Sequence, residues 1–337
     1  MTLFMIKAWL LLLAAAYSPQ LMATPEEIKP LVLFQGEVSE GTFLHMVEQG
    51  INEFEAVSSI PVVKKRLKRD NSLYLEEIEK GAVAGFSPIV VQDSNSIETF
   101  GNVAKANPAT KFISLDVAYD VPNILGLTFN HAEGAYVIGF IAGLKTRTNH
   151  VGFIGAIDIP VLENFRCGYE LGLKKANSNA RLSTQYINNG VLSWDDLEKA
   201  RALALQMVSE QVDIIFPVAG FASKAVMDTM KNLGPGHFSF GIDFNLNHDY
   251  PNTLLASFEK RSDKAIFAAL MLLKNGIWNS NEKHFGIKQG IINVAVNQDN
   301  PSLSKKDKEL ISDLIIQLKG KNNAISREII TQCEIGR

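Results

Sequence analysis

The feature that most constrains the fold is an almost unbroken alternation of strand-like and helix-like stretches along the chain. Leu31–Gly36 is a short apolar run typical of a buried strand, and Thr42–Val57 repeats apolar residues on one face of a helix. The alternation continues as far as a helical pattern over Ser304–Lys319. Strands and helices in this order are typical of parallel sheets covered by helices. The sequence therefore predicts an α/β fold with parallel sheets.

The length of the chain favours a division into two lobes. Its 337 residues exceed the roughly 250–300 at which a single hydrophobic core usually stops growing. The order of the elements predicts three crossings between the lobes, and hence a three-strand hinge that lets a clamp close on a ligand. We expect a signal peptide at 1–23, lobe 1 at 24–129 with 250–285, lobe 2 at 130–249 with 286–320, and a C-terminal tail at 321–337.

The first residues are typical of an export signal. Lys7 precedes the apolar block Ala8–Tyr17, which is too short to span a bilayer, and Ala23 is a plausible cleavage position. Because no cysteine lies near that position, we expect a protein that is free in the periplasm and has no lipid anchor. The two cysteines, Cys167 and Cys333, are able to pair in an oxidising compartment, but the sequence leaves their pairing open.

Composition and motifs argue against several classes of function. A net charge of -3 provides no broad basic field for nucleic acid, and the basic run 64–69 is best interpreted as a solvated strand edge. The six histidines lie singly, so we expect neither a metal site nor a cofactor. Phosphate-loop, nucleophile-elbow and zinc-protease motifs are absent from the sequence, which predicts that the protein is not an enzyme.

Candidate ligand-binding residues lie at the carboxyl ends of predicted strands and at the start of the helices that follow. An open parallel sheet presents that edge to a crevice in which ligands bind. Aromatic rings there can stack on a flat ligand, while a carboxylate and a cation can bind its hydroxyls. The candidates are Phe43, Asp93, Ser94, Asp116, Phe165, Arg166, Gly220, Phe221, Asp243 and Lys260.

Each candidate also has an ordinary structural explanation. Phe165 and Phe221 fit a hydrophobic core equally well, since most aromatic side chains are buried there. Asp243 can cap a turn, and Lys260 can be a solvated charge between charged neighbours. It is their common position at strand ends that predicts a shared site.

Taken together, several stretches resemble the basic membrane protein family, the nucleoside-binding lipoproteins of bacterial ABC transporters. The likeness extends from Leu31 to Val296. It is densest in NPATKFISLD (107–116), FNHAEGAYVIGFIAG (129–143), the run 151–176, VDIIFPVAG (212–220), and GID (241–243) followed by ASFEK (256–260). The resemblance implies the type I periplasmic-binding-protein fold, with two lobes and a hinge of three strands.

The resemblance also implies roles for particular residues. Asp243 and Lys260 would bind the sugar hydroxyls, Phe43 and a second aromatic residue, Phe165 or Phe221, would stack on the base, and Asp116 would lie in the cleft. Family members usually carry Asp-x-Ser-Phe-Asn in the first strand-to-helix loop, whereas this chain has EGTFL at 40–44. Since leucine forms no hydrogen bond, a contact of that asparagine with a purine edge would be lost at Leu44.

We therefore expect an exported, monomeric solute-binding protein that captures a nucleoside or a related polar heterocycle for an ABC permease. An alternative is a sensor whose liganded form docks on a membrane receptor. An enzyme acting on nucleosides is a third possibility, but no general base accompanies a nucleophile or a metal-ligand set in the sequence.

Overall fold

The structure is a computed structural model that describes residues 28–92, 97–280, 282–320 and 323–333. The expected signal peptide at 1–23 lies outside these residues. The strands are β1 (Leu31–Gln35), β2 (Val63–Leu67), β3 (Ile89–Gln92), β4 (Phe112–Leu115), β5 (Ile124–Phe129), β6 (His150–Gly155), β7 (Arg181–Tyr186), β8 (Ile214–Val218), β9 (Phe238–Gly241), β10 (Leu254–Lys260), β11 (Lys283–Phe285) and β12 (Ile292–Val296).

Helices follow most of these strands, as the alternating pattern predicts. They are α1 (Phe43–Ser58), α2 (Asn71–Val83), α3 (Ile97–Ala106), α4 (His131–Lys145), α5 (Pro160–Ala176), α6 (Leu197–Ser209), α7 (Ser223–Leu233), α8 (Ser262–Lys274), α9 (Lys305–Lys319) and α10 (Ala324–Cys333). Short 3₁₀ helices occupy Gly190–Trp194, Gly220–Ala222 and Ile287–Gln289.

The strands form two six-stranded sheets, one in each lobe. The first has the order β11-β5-β4-β3-β1-β2, and its strands pair in parallel. The second has the order β12-β10-β9-β8-β6-β7 and is parallel except for β12, which runs antiparallel to β10. Helices cover the sheets, so the predicted α/β class with parallel-dominated sheets is confirmed.

Three segments carry the chain between the two sheets. They join β5 to α4, β10 to α8, and β11 to β12. Our assignment of 250–285 to the first lobe is wrong for β10, because this strand pairs with β9 and β12 in the second sheet. The second crossing therefore comes after Lys260 rather than before Leu254. Strands of parallel sheets are buried on both faces in either lobe, so the mostly buried pattern of β10 could not reveal which sheet it joins.

The helices α4 and α5 of the second lobe form a closely packed pair. Glycines permit the close approach: a Cβ at Gly139 would lie 1.9 Å from the carbonyl oxygen of Tyr169, and one at Gly172 would lie 1.9 Å from that of Tyr136. Nearly every turn of α4 is buried, as expected for a helix that is apolar on all sides. Glycine at these positions is a packing requirement, since any side chain would push the two backbones apart.

The segment expected as a C-terminal tail is helical where the structure describes it. Helix α10 packs against α4 and α5, and a disulfide between Cys167 and Cys333 joins it to α5 across 166 residues of sequence. The pairing that the sequence left open is therefore present in the structure.

The basic run of the sequence forms ion pairs on the surface of the first lobe. The basic run lies on β2 at the edge of the first sheet, where Lys64, Lys65 and Arg66 pair with Glu55, Glu77 and Glu48. Across the described ranges, we find no helix with the length and apolar character needed to cross a membrane.

Candidate functional site

A cavity lies between the two lobes, at the carboxyl ends of strands from both sheets. It encloses about 1010 Å³ of space that protein atoms do not fill, including the solvent at its mouth. Its lining consists of Gln35, Glu37, Thr42, Phe43, Leu44, Arg69, Gln92, Leu115, Asp116, Ile159, Val161, Leu162, Phe165, Trp194, Val218, Gly220, Phe221, Ile242, Asp243 and Lys260.

Most of the predicted site residues meet in this cavity. Those that line it are Phe43, Asp116, Phe165, Gly220, Phe221, Asp243 and Lys260. Arg166 does not: its guanidinium pairs with Glu163 and Glu170 on its own helix, α5. The turn of the helix explains the difference, because neighbouring helical residues point about 100° apart. The predicted Asp93 and Ser94 lie outside the described residues.

An ion pair between the lobes occupies the hinge side of the cavity. Lys260, at the end of β10, donates a hydrogen bond to Oδ1 of Asp116, which follows β4. The side chain of Lys260 is buried, and its Nζ lies 4.1 Å from the ring centroid of Phe43 and 4.5 Å from that of Phe129. Ammonium groups at such distances are attracted to the faces of aromatic rings. Phe43 is thereby fixed against a charged group while it lines the cavity.

A histidine completes the surroundings of Asp116. Nε2 of the buried His131 lies 3.4 Å from Oδ1 of Asp116. Burial raises the pKa of Asp116, but the charge of Lys260 and the neighbouring His131 outweigh it and hold that pKa below its usual range. Burial lowers the pKa of His131 more than Asp116 raises it. Asp116 is therefore an anion at neutral pH, and His131 is a neutral imidazole.

Asp243 behaves differently from Asp116, although it lies in the same cavity. Its side chain accepts no hydrogen bond from another side chain of the described residues, and the residue is only 8% exposed. Burial raises the pKa of Asp243 to about 6, since the repulsion of Asp116 adds to it and the attraction of Lys260 and the Phe43 N–H only partly offset it. Asp243 is therefore a buried acceptor in the cavity that lacks a full complement of donors.

The backbone at both aspartates is unusual. Asp116 has φ +74° and Asp243 has φ +66°, which places two non-glycine residues in the left-handed region. Aspartate tolerates this region better than most residues do. Such conformations cluster at ligand sites, where the surrounding structure compensates for their cost of about 1–3 kcal/mol. Asp116 directly follows β4, and Asp243 is the second residue after the end of β9.

Aromatic side chains line the cavity from both lobes. Phe43 comes from the first lobe, and Phe221 and Trp194 come from the second. Phe165 is chiefly a core residue: it is 4% exposed, and its ring stacks on His131 with centroids 4.4 Å apart. Trp194 was missed from the sequence, because the two aspartates that follow it were interpreted only as the start of a helix.

Two further residues that the sequence analysis missed, Arg69 and Asp195, meet at the rim of the cavity. Nε of Arg69 lies 2.5 Å from Oδ2 of Asp195, and Nη2 lies 3.2 Å from Oδ1, so the ion pair is bidentate. Arg69 follows β2 in the first lobe, and Asp195 follows Trp194 in the second. Charged residues in loops are common, and neither carries a local signal of such a contact.

Leu44, in the first turn of α1, lies in the cavity wall. It is buried, and it brings an apolar surface where an amide would offer both a donor and an acceptor. The hydroxyl of Thr42, the N-cap of α1, donates a hydrogen bond to the carbonyl oxygen of Ser39 and accepts one from the N–H of His45. The described residues contain no cluster of side chains that could hold a metal ion.

Comparison with known proteins agrees with this geometry. Residues 28–333 match the family model described as Bmp, ABC transporter substrate-binding protein PnrA-like. The chain is 30% identical over 275 residues to basic membrane protein A of Borreliella burgdorferi, covering 80% of this chain and 79% of that protein. It is also 30% identical over 279 residues to basic membrane protein A2 of Borrelia garinii subsp. bavariensis, covering 80% of each chain.

Solved structures share the fold at lower identity. An ABC transporter solute-binding protein from Aeropyrum pernix superimposes with a TM-score of 0.78 at 19% identity, covering 91% of this chain and 97% of the other. A periplasmic solute-binding protein from Actinobacillus succinogenes with bound D-allose gives 0.63 at 16% identity, covering 85% and 100%. These neighbours confirm the two-lobed type I periplasmic-binding-protein fold. The chain belongs to the Bmp family of PnrA-like ABC-transporter substrate-binding proteins.

Proposed function

We propose that this substrate-binding protein captures a nucleoside, or a closely related polar heterocycle, between its lobes and delivers it to an ABC permease. The observation that carries the proposal is the pairing of a buried, under-bonded carboxylate, Asp243, with aromatic side chains from both lobes in one cavity. A ribosyl heterocycle presents the complementary groups, namely hydroxyl donors at one end and a flat ring at the other.

The charges of the cavity favour a neutral ligand over a phosphorylated one. Two cations line the described part of the cavity, Lys260 and Arg69, and each is already paired with a carboxylate. Asp243 then remains as a buried acceptor that hydroxyl groups can satisfy. A phosphate would meet this carboxylate without a free cation nearby, and like charges in a buried site repel strongly.

The aromatic residues provide opposite walls for the ring of the ligand. Phe43 is held from below by Lys260, while Trp194 and Phe221 belong to the other lobe. In the closed conformation these faces would hold a ring between them, and each stacked pair is worth about 0.5–1.5 kcal/mol beyond its buried area. Because Leu44 offers no hydrogen bond, recognition of the base would depend on stacking and shape more than on its polar edge.

The other expectations from the sequence belong to the same proposal. We expect an exported monomer that acts in the periplasm and releases its ligand chemically unchanged. The family match favours a permease over a membrane receptor as the partner. Recovery of the intact nucleoside after long incubation would support binding without chemistry, whereas a free base or a deaminated product would refute it.

Titration calorimetry with a panel of nucleosides and their 5′-monophosphates tests the proposed ligand class. We expect binding of one or more nucleosides, weak or no binding of the monophosphates, and a loss of at least about tenfold in affinity for Asp243→Ala, since a hydrogen bond to a charged group is worth ~1.5–3 kcal/mol. Asp313→Asn, an exposed carboxylate on α9, is the matched control and should bind as the wild type does. Equal affinity of Asp243→Ala and wild type would remove the proposed sugar contact.

A further inference from the structure

The ion pair between Arg69 and Asp195 lies where opening of the clamp would separate the lobes most. The chain crosses between lobes beside β5, β10, β11 and β12, which lie at one edge of the two sheets. Arg69 follows β2 at the opposite edge of the first sheet, and Asp195 comes after β7 at the opposite edge of the second.

A simple lever estimate shows how sensitive this contact is to the hinge. From β5 to β2 the first sheet spans four strand intervals of about 4.8 Å each, or roughly 19 Å in all. A rotation of about 20°, a modest hinge motion, would then part the rim by roughly 7 Å. That separation exceeds the reach of a hydrogen bond, so the pair can exist only in the closed conformation.

Two glycines leave space for the side chains at the rim. A Cβ at Gly36, whose φ is +110°, would lie 2.7 Å from Cζ of Arg69, and a Cβ at Gly220, whose φ is +58°, would lie 3.2 Å from Cε3 of Trp194. A glycine of each lobe thus makes room for the rim side chain that lies against it. The side chains of Arg69 and Asp195 are 15% and 29% exposed, so water screens their attraction less than it screens a surface pair.

We propose that Arg69 and Asp195 form an interlobe latch that holds Trp194 over the bound ligand and slows its release. Both are positioning residues: Asp195 is adjacent in sequence to Trp194, and its bidentate contact with Arg69 fixes the orientation of this segment as well as its distance. The identity of the ligand rests on the proposed function, but the latch itself does not. Because the pair forms only on closure, its loss acts mainly on the rate of dissociation.

Release kinetics and solution scattering test the latch together. The variants are Arg69→Gln, Asp195→Asn and the double variant, in a Trp278→Phe background that leaves Trp194 as the tryptophan of the described residues. Stopped-flow fluorescence measures nucleoside release, and small-angle scattering measures the radius of gyration without ligand. Arg166→Gln is the matched control, since it removes a bidentate arginine–carboxylate contact that lies within one helix.

We expect each single variant to release the nucleoside about tenfold faster, in line with the loss of one charged hydrogen-bonded pair. The double variant should be no faster than either single variant, because all three lack the same contact. In scattering, the ligand-free variants should be more expanded than the wild type and Arg166→Gln. Two independent single variants protect the test against a folding defect in one of them.

Failure of the latch can be distinguished from failure of the proposed function. A wild type that binds no nucleoside would refute the ligand class, and the scattering comparison would then decide the latch alone. Equal radii of gyration in all proteins, with equal release rates or no release to measure, would overturn the latch. Additive effects of the two substitutions would also overturn it, because additivity means that the residues act separately.

Discussion

The pKa of Asp243 leads to a quantitative prediction about ligand binding and pH. Burial raises this pKa to about 6 in the ligand-free protein. If hydroxyl groups of the ligand donate to the carboxylate, the ionised form of Asp243 binds and the protonated form does not. Roughly a tenth of the molecules are ionised one pH unit below the pKa, and nearly all are ionised at pH 7.5. The apparent Kd should therefore rise about tenfold between pH 7.5 and pH 5, which corresponds to ~1.4 kcal/mol.

Calorimetry of one bound nucleoside at several pH values between 5 and 7.5 measures this dependence. Asp243→Asn should bind more weakly at pH 7.5 and should lose the rise in Kd on acidification. Asp116 should not contribute, since Lys260 and His131 hold its pKa below the usual range despite its burial. Any titration of His131 would remain in Asp243→Asn, so the comparison isolates Asp243. A wild-type Kd that is constant across this range, or an unchanged dependence in Asp243→Asn, would refute the reasoning.

Three further predictions concern stability. The raised pKa of Asp243 means that its stabilising contribution is fully present below its unfolded pKa of 3.8 and is lost as the pH rises through about 6. In denaturant melts at pH 7.5, Asp243→Asn should therefore stabilise the ligand-free protein by up to ~3 kcal/mol. A loss of stability in this variant would contradict the predicted sign. Cys333→Ala opens a loop of 166 residues and should cost about 2–5 kcal/mol in the same assay; the reduced wild type should match it, and an oxidised wild type no more stable than the variant would contradict it. Gly172→Ala would place a Cβ 1.9 Å from a carbonyl oxygen and should lower the free energy of unfolding by about 3 kcal/mol or more. The control is Gly101→Ala on α3, where the nearest atom is 3.6 Å away; it should be neutral or slightly stabilising. Equal losses of stability would show that α4 and α5 can separate freely.

The partition of residues between core and site shows where sequence reasoning reaches its limit. Phe43 and Phe165 have the same side chain, yet Phe43 lies against Lys260 in the cavity, while Phe165 stacks on His131 within the core. The pattern around each residue predicts a helix that packs on a sheet, and it does so correctly. Which of the two rings faces the cavity depends on the packing of α4. No local pattern around Phe165 encodes that packing.

By itself the sequence determined the alternation of strands and helices, the α/β class, the family, and the strand ends that bear Asp116, Asp243 and Lys260. These follow from short-range patterns, since parallel strands present their carboxyl ends at one edge wherever the sheets lie. Only the tertiary structure decided the sheet that β10 joins, the exclusion of Arg166 from the cavity, the disulfide of Cys333, and the contact of Arg69 with Asp195. Each of these depends on contacts between residues distant in the chain or on the rotation of a helix about its axis. Such relations arise when the two lobes pack, and no neighbouring residue records them.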